Sequence, residues 1–256
     1  MFRSKGKSAR RASKKNAAAN QDDVYEGGLV IVDLDRQRRL SVAVEVTEAL
    51  RYAVARLQTS DKGDVRPRIC VTSALSGEGV TFVASSLAAL LANDLRRKVC
   101  LVDLNWWSVS DATPYGGRSK VFQPPGVAQV IDGKLALDEV LIPTQGLRLS
   151  LLPAGPASPA ERPVFVKAAA LAQLVDQLEL RFDHVVLDVP PILAHGEALT
   201  LASLAEAFVL VVRQGVTAEA QVQAALQELR HLVPLGVVLN RASSRVPQRL
   251  VHLLAE

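Results

Sequence analysis

The chain has 256 residues, 49% of them hydrophobic and 4% aromatic, with 30 Lys and Arg against 26 Asp and Glu. That is enough apolar material for one α/β core without demanding a second domain, and no apolar run approaches the ~20 residues that span a bilayer. The seven cations of the first 20 residues exceed the formal net charge of +4, so the remainder is net acidic and is not a basic nucleic-acid binder.

The N-terminal stretch carries Arg3, Lys5, Lys7, Arg10, Arg11, Lys14 and Lys15 with almost nothing apolar between them. It reads as a disordered polybasic tail. Three roles stay open for it: reversible attachment to an anionic membrane surface or an acidic partner, a solvated tail, or nucleic-acid contact. Each cation near an anionic bilayer contributes about 1 kcal/mol at most. There is no apolar stretch before a cleavage site, and Cys70 and Cys100 sit in apolar runs without a neighbouring Cys or His, so a cytoplasmic, reduced protein with two buried thiols is expected.

Residues 21–40 read as a linker with one short strand at 29–34, so the expected division is a tail and linker over 1–40 and a single domain over 41–256. Ser41 to Gln58 has helical spacing, with Ser41 as N-cap and Val44, Ala49, Ala53 and Leu57 on one face.

Arg68 to Phe82 reads as a strand, a glycine turn and the start of a helix in immediate succession. In such a loop, Ser76-Gly77-Glu78-Gly79 aims backbone N–H groups at one anion on the helix N-terminus, and Thr81 supplies a hydroxyl for Mg²⁺. The position after the last glycine, where a phosphate-binding loop needs a lysine, is Val80. Val80 can neither neutralise a phosphate nor donate to it.

Val99 to Asp103 is a continuous apolar run of the kind a parallel strand covered on both faces requires, and Asp103 at its carboxyl end should face the ligand crevice. Two short helices are expected over 126–142, a strand over 147–152, and a helix over 163–180 with a stripe of Val166, Ala169, Leu171, Leu174 and Leu178. Strands at 184–188, 208–212 and 236–239 and a helix at 217–231 complete the pattern. The alternation predicts a doubly wound α/β domain whose mostly parallel sheet of about six to eight strands is flanked by helices, like a P-loop NTPase.

Five segments in order, Thr72-Ser-Ala-Leu-Ser-Gly-Glu-Gly79, Val99-Cys-Leu-Val-Asp103, Gly126-Val-Ala-Gln-Val-Ile-Asp-Gly-Lys134, Leu149-Ser-Leu-Leu-Pro-Ala-Gly155 and Phe182-Asp-His-Val-Val-Leu-Asp-Val-Pro-Pro191, together resemble the cytoplasmic tyrosine-kinase domain of bacterial capsule and exopolysaccharide biosynthesis, a relative of the MinD/ParA ATPases. The resemblance runs from about Glu48 to Asn240. It implies ATP and Mg²⁺ as cofactors, with phosphates at Ser76 to Thr81, metal at Thr81, Asp103 and Asp188, adenine at Asn240, and a catalytic part for Asp103. It also implies work at the inner face of the membrane beside a membrane-spanning polysaccharide co-polymerase or an active kinase paralogue, and homo-oligomers packed through the helix containing Glu48-Ala-Leu-Arg51.

The chain departs from that pattern in several places. Val80 replaces the lysine. Asn105 and Trp107 replace the second acid and the arginine of the Asp-x-Asp-x-Arg strand end, leaving packing or a partner contact for Trp106 and Trp107. Val54 stands where the ring helix has its second arginine, and the only tyrosines, Tyr25, Tyr52 and Tyr115, form no C-terminal cluster. The favoured expectation is therefore a catalytically degenerate, kinase-like regulatory partner that binds ATP weakly or not at all. The alternatives are an active kinase or ATPase in which Arg118, Lys120, Arg213 or a partner's arginine replaces the lysine, and a ParA-like positioning ATPase.

Overall fold

The computed structural model describes residues 29–33, 38–42, 44–59, 68–107, 124–145 and 148–241. The basic N-terminal segment, residues 108–123 with Tyr115, Arg118 and Lys120, and the residues after Arg241 lie outside the described residues.

Nine strands among them form one sheet: β1 (Leu29–Asp33), β2 (Arg38–Val42), β3 (Arg68–Ser73), β4 (Val99–Asp103), β5 (Ile142–Gln145), β6 (Leu149–Leu152), β7 (His184–Asp188), β8 (Ala207–Arg213) and β9 (Val233–Asn240). Their order is β2-β1-β5-β6-β4-β7-β3-β8-β9. The six strands from β6 to β9 are parallel, and β5, β1 and β2 extend one edge by antiparallel pairing. The sheet thus exceeds the six to eight strands expected. The added strands, β2 and β5, are too short and too polar to announce themselves by periodicity. Ser41 lies inside β2 and is not a helix cap, and the division expected at residue 40 runs through that strand.

Helices cover both faces. On one side lie α1 (Val44–Thr59) and α2 (Val80–Asp94). The other carries α3 (Val127–Ile131), α4 (Leu137–Val140), α5 (Arg162–Lys167), α6 (Ala169–Arg181), α7 (Ala198–Ala202) and α8 (Glu219–Glu228). The parallel strands are buried on both sides, which is why β3, β4, β7 and β8 read as unbroken apolar runs. Residue alternation along β3 makes the division visible: Ile69 and Val71 pack beneath α1 and α2, while Cys70 joins the opposite core.

Helix α2 is apolar all round, and eleven of its 15 residues are buried. It is a central helix and not an amphipathic one. Along α1, Thr47, Leu50 and Val54 are buried while Glu48 and Arg51 are exposed; the expected stripe of Val44, Ala49, Ala53 and Leu57 falls on side chains outside the description. The single helix expected over 163–180 breaks at Ala168, whose extended backbone separates α5 from α6 and leaves Ala169 exposed, while Val166, Leu171, Leu174, Val175 and Leu178 are buried. No described helix is long and apolar enough to cross a membrane.

Candidate nucleotide and metal site

The site is assembled at the carboxyl ends of β3, β4 and β7, the central strands, where an open parallel sheet places its ligand crevice. From β3 the chain enters the loop Ala74 to Gly79. Gly77 (φ 80°) and Gly79 (φ 96°) both adopt the left-handed backbone that glycine tolerates. The first backbone bond of α2 runs from the Val83 N–H to the Gly79 carbonyl at 3.1 Å, which leaves the N–H groups of Val80, Thr81 and Phe82 without intrahelical acceptors, as an anion site requires.

Two residues set the character of the loop. Val80 is 7% exposed and packs into the core between sheet and α2, so no cation occupies the lysine place. Glu78 is 1% exposed, and its carboxylate is turned inward: Oε2 accepts from the Leu75 N–H at 3.0 Å, while Oε1 accepts from the Thr217 hydroxyl and, at 3.4 Å, from the Arg213 N–H. A buried carboxylate thus ties the loop to the turn after β8 and consumes one of the loop's own donors. Spacing alone marks Glu78 as a loop residue; only the meeting of β3 and β8 reveals it as a brace.

Asn240, at the end of β9, lies against the same loop. Its Nδ2 donates to the Glu78 carbonyl at 2.7 Å and its Oδ1 accepts from the Arg241 N–H at 2.9 Å. The side chain stands so close that a Cβ added to Gly79 would meet Nδ2 at 2.1 Å. The residue expected at adenine is therefore engaged with the phosphate loop itself. Ser76 and Gly77 are exposed at the loop's rim.

Beside the loop stand two carboxylates. Asp103 and Asp188 are register partners across β4 and β7, and Val71 of β3 is the other neighbour of Asp188. Asp188 is 1% exposed. Burial first, and the Asp103 charge second, raise its pKa well above the carboxylate range; the Thr81 hydroxyl pulls the other way. Thr81 approaches closely enough to stabilise the charge, yet neither Asp188 oxygen completes a hydrogen bond of normal geometry. The carboxyl of Asp103 is pushed up to about 6 by burial, against a 2.9 Å bond from the Asn105 N–H. The Asn105 Oδ1 is likewise buried without a donor.

Orphaned buried oxygens are rare in folded proteins and call for a partner. The oxygens of Asp188 and Asn105, with Asp103 and the Thr81 hydroxyl adjacent, form an all-oxygen donor set suited to Mg²⁺, which takes one or two carboxylates and fills the rest with water and phosphate. The residues fit the metal. A bound Mg²⁺ would supply positive charge beside the phosphate loop and hold both carboxylates ionised, while Thr81 and Asn105 would orient it. They fit the triphosphate only in part, because the cradle lacks its cation.

Past Asp103 the two tryptophans separate in role. Trp106 is buried, with Nε1 donating to the Ala154 carbonyl at 3.0 Å and its ring 6.1 Å from Phe165, so packing is its part. Trp107 is half-buried, 5.2 Å from the His195 ring, and the Arg162 guanidinium lies 5.9 Å over it. No sequence signal singled out Arg162 or His195. On α1, Arg51 is paired with Asp94 at 3.0 Å, and Val54 is 5% exposed and buried in the core.

The chain matches no protein-family model. Its homologues are bacterial tyrosine-protein kinases. It is 25% identical over 180 residues to the tyrosine-protein kinase CpsD of Streptococcus agalactiae, covering 70% of this chain and 76% of that one. To the tyrosine-protein kinase ptk of Acinetobacter johnsonii it is 24% identical over 204 residues, covering 78% of this chain but only 26% of that protein. To the succinoglycan biosynthesis transport protein ExoP of Rhizobium meliloti it is 29% identical over 183 residues, covering 68% of this chain and 22% of that protein. This chain therefore spans about a quarter of two of these relatives and three quarters of the other. Among solved structures, the kinase domain of the Escherichia coli tyrosine kinase ETK superposes with a TM-score of 0.64 at 24% identity, covering 81% of this chain and 80% of that one. MinD from Pyrococcus horikoshii complexed with Mg-ADP does so at 0.52 and 20%, covering 73% and 76%. The fold is that of the MinD-like P-loop ATPases and bacterial tyrosine-kinase domains.

Proposed function

We propose that this chain, a homologue of bacterial tyrosine-protein kinases, is a catalytically degenerate kinase-like protein that acts as a regulatory partner in exopolysaccharide or capsule synthesis and export. The observation that carries the reading is the phosphate loop: Val80 is buried in the core where a cation is needed. A kinase stabilises charge developing on the transferred phosphoryl group with fixed positive groups, and Val80 supplies none at this place in the loop. Asn105 in place of a second acid removes a candidate base as well. The partner would be a membrane-spanning polysaccharide co-polymerase or an active paralogue; similarity to ExoP, a succinoglycan biosynthesis transport protein, supports that setting. The basic N-terminal segment would hold the chain reversibly at the inner membrane surface.

A second reading, an active ATPase or kinase, is favoured by one observation, the orphaned oxygens of Asp188 and Asn105 that suit Mg²⁺. Arg213, partly buried beside the loop, is the described candidate for the missing cation. Incubation of the purified chain with ATP and Mg²⁺, followed by phosphotyrosine detection, separates the two. No signal is expected. Phosphotyrosine on Tyr25, Tyr52 or Tyr115 that disappears in Asp103→Ala would overturn the degenerate reading.

A further inference from the structure

The end of the sheet opposite the crevice, where the parallel strands begin, has its charges sorted by side. At the amino ends of β4 and β6, the turn after α2 presents Arg96, Arg97 and Lys98, and Arg148 immediately precedes β6; all are exposed, and none forms an ion pair among the described residues. The backbone keeps these cations together: the Val99 N–H donates to the Arg148 carbonyl at 2.8 Å, and Arg148 Nη1 donates to the Arg96 carbonyl at 3.5 Å. Arg96 holds a left-handed backbone (φ 49°) that suits glycine, so a cation stands where a smaller residue would be less strained. Of the acids nearby, Asp183 accepts from the Lys98 backbone N–H at 2.9 Å and Asp94 is paired with Arg51. Other acids gather around Arg68 at the start of β3, where Asp176, Glu179 and Glu206 meet it, and β7 separates that strand from β4.

Strand register brings the basic N-terminal segment to the same place. β1 pairs antiparallel with β5 and β5 antiparallel with β6, so β1 runs in the direction of β6 and begins at the same end of the sheet. Val32 lies opposite Gln145, the last residue of β5, so Leu29 projects beyond β5 on the side where Arg148 stands, and the chain before Leu29 leaves from there. We propose that Arg96, Arg97, Lys98 and Arg148 dock on an anionic phospholipid surface, with the N-terminal segment as the second part of one contact and the crevice turned away from the bilayer. Because the chain past residue 20 is net acidic, only a segregated face lets the folded body approach such a surface. A lipid surface asks for charge density and no shaped pocket, which suits cations borne on separate turns, while repulsion of Asp176, Glu179 and Glu206 sets the tilt. Each cation is worth roughly fivefold in partitioning, so the folded face holds weakly by itself and acts together with the N-terminal segment. The proposal rests on the membrane setting of the functional reading and not on the loss of catalysis.

The test is sedimentation of the full chain with vesicles of phosphatidylglycerol and phosphatidylcholine at about 0.1 M salt, where screening acts beyond about 10 Å. Arg97→Gln combined with Arg148→Gln is expected to weaken partitioning at least about fivefold with an unchanged circular-dichroism spectrum. Lys134→Gln combined with Lys167→Gln removes the same charge from exposed places after α3 and at the end of α5, and should cost less than about twofold. Arg96→Gln with Lys98→Gln should act like the first pair and serves if that pair does not fold. An equal loss from the Lys134 and Lys167 pair would overturn the proposal, since binding would then follow net charge alone. Indifference to both pairs at the sheet end, with binding still dependent on the N-terminal segment, would overturn it and leave the functional reading standing. Absence of any vesicle binding would overturn it together with the membrane setting. Substitutions that weaken binding to a DNA duplex and leave vesicle binding intact would overturn it by reassigning the face to nucleic acid.

Discussion

Asp103 and Asp188 stand opposite each other at the carboxyl ends of β4 and β7, one at the edge of the crevice and one buried, and among the described residues neither forms an ion pair with a cation. Burial raises the proton affinity of both carboxylates, and the Asp103 charge adds to it at Asp188, so the folded chain holds protons here that the unfolded chain releases.

The pH dependence has a definite sign. Asp103 titrates near 6 when folded, above its ordinary 3.8, and Asp188 is shifted the same way. Stability is then greatest below the unfolded pKa and declines as pH rises through the window from about 4 to 6, because there the folded state binds more protons. Asp188→Asn should raise Tm at pH 7.5, with the gain shrinking toward pH 4. Thermal melts of both proteins at a series of pH values check this; a gain unchanged down to pH 4 would refute it.

Mg²⁺ should act on the same pair. Millimolar MgCl₂ at pH 7.5 is expected to raise the Tm of the natural chain and leave that of Asp188→Asn unmoved, since a ligand of the folded state alone stabilises it by mass action. Equal shifts in both proteins would place the ion elsewhere.

Val80→Lys should create or strengthen ATP binding. At about 4 Å a lysine gains on the order of 4 kcal/mol from a phosphate at an effective dielectric near 20, and desolvation reduces this to about 2–3 kcal/mol, a roughly 30- to 150-fold gain. Calorimetry on both proteins measures it. Micromolar binding by the natural chain would show that another cation already fills the place.

Gly79→Ala should destabilise the domain by about 1–3 kcal/mol, from the left-handed backbone and from the displaced Asn240 amide that meets the new methyl. Urea unfolding supplies the value, and Gly77→Ala, with no neighbour in contact, isolates the backbone contribution.

On vesicles containing anionic lipid, the full chain should bind in a salt-sensitive manner and a chain starting at Asp22 should not. Screening lengths fall from about 10 Å at 0.1 M salt to about 3 Å at 1 M. Equal binding by both forms would exclude the N-terminal segment from attachment.

The sequence by itself determined the parallel core and the crevice: β4 and β7 are identifiable to the residue as Val99–Asp103 and His184–Asp188, because strands buried on both faces must be continuously apolar and a terminal acid breaks the run. It determined the glycine loop and the absence of its lysine on the same local grounds. Tertiary structure alone decided what local pattern does not encode. Strands β2 and β5 depend on pairing partners outside their own segments. The inward carboxylate of Glu78 needs Thr217 and Arg213 from the far side of the loop, and the Asn240 amide needs β9 to end against Gly79. The grouping of Arg162, Trp107 and His195 joins residues separated by as many as 88 positions. Periodicity records which face of an element is buried, whereas the partner a polar side chain meets is set by which strands lie side by side.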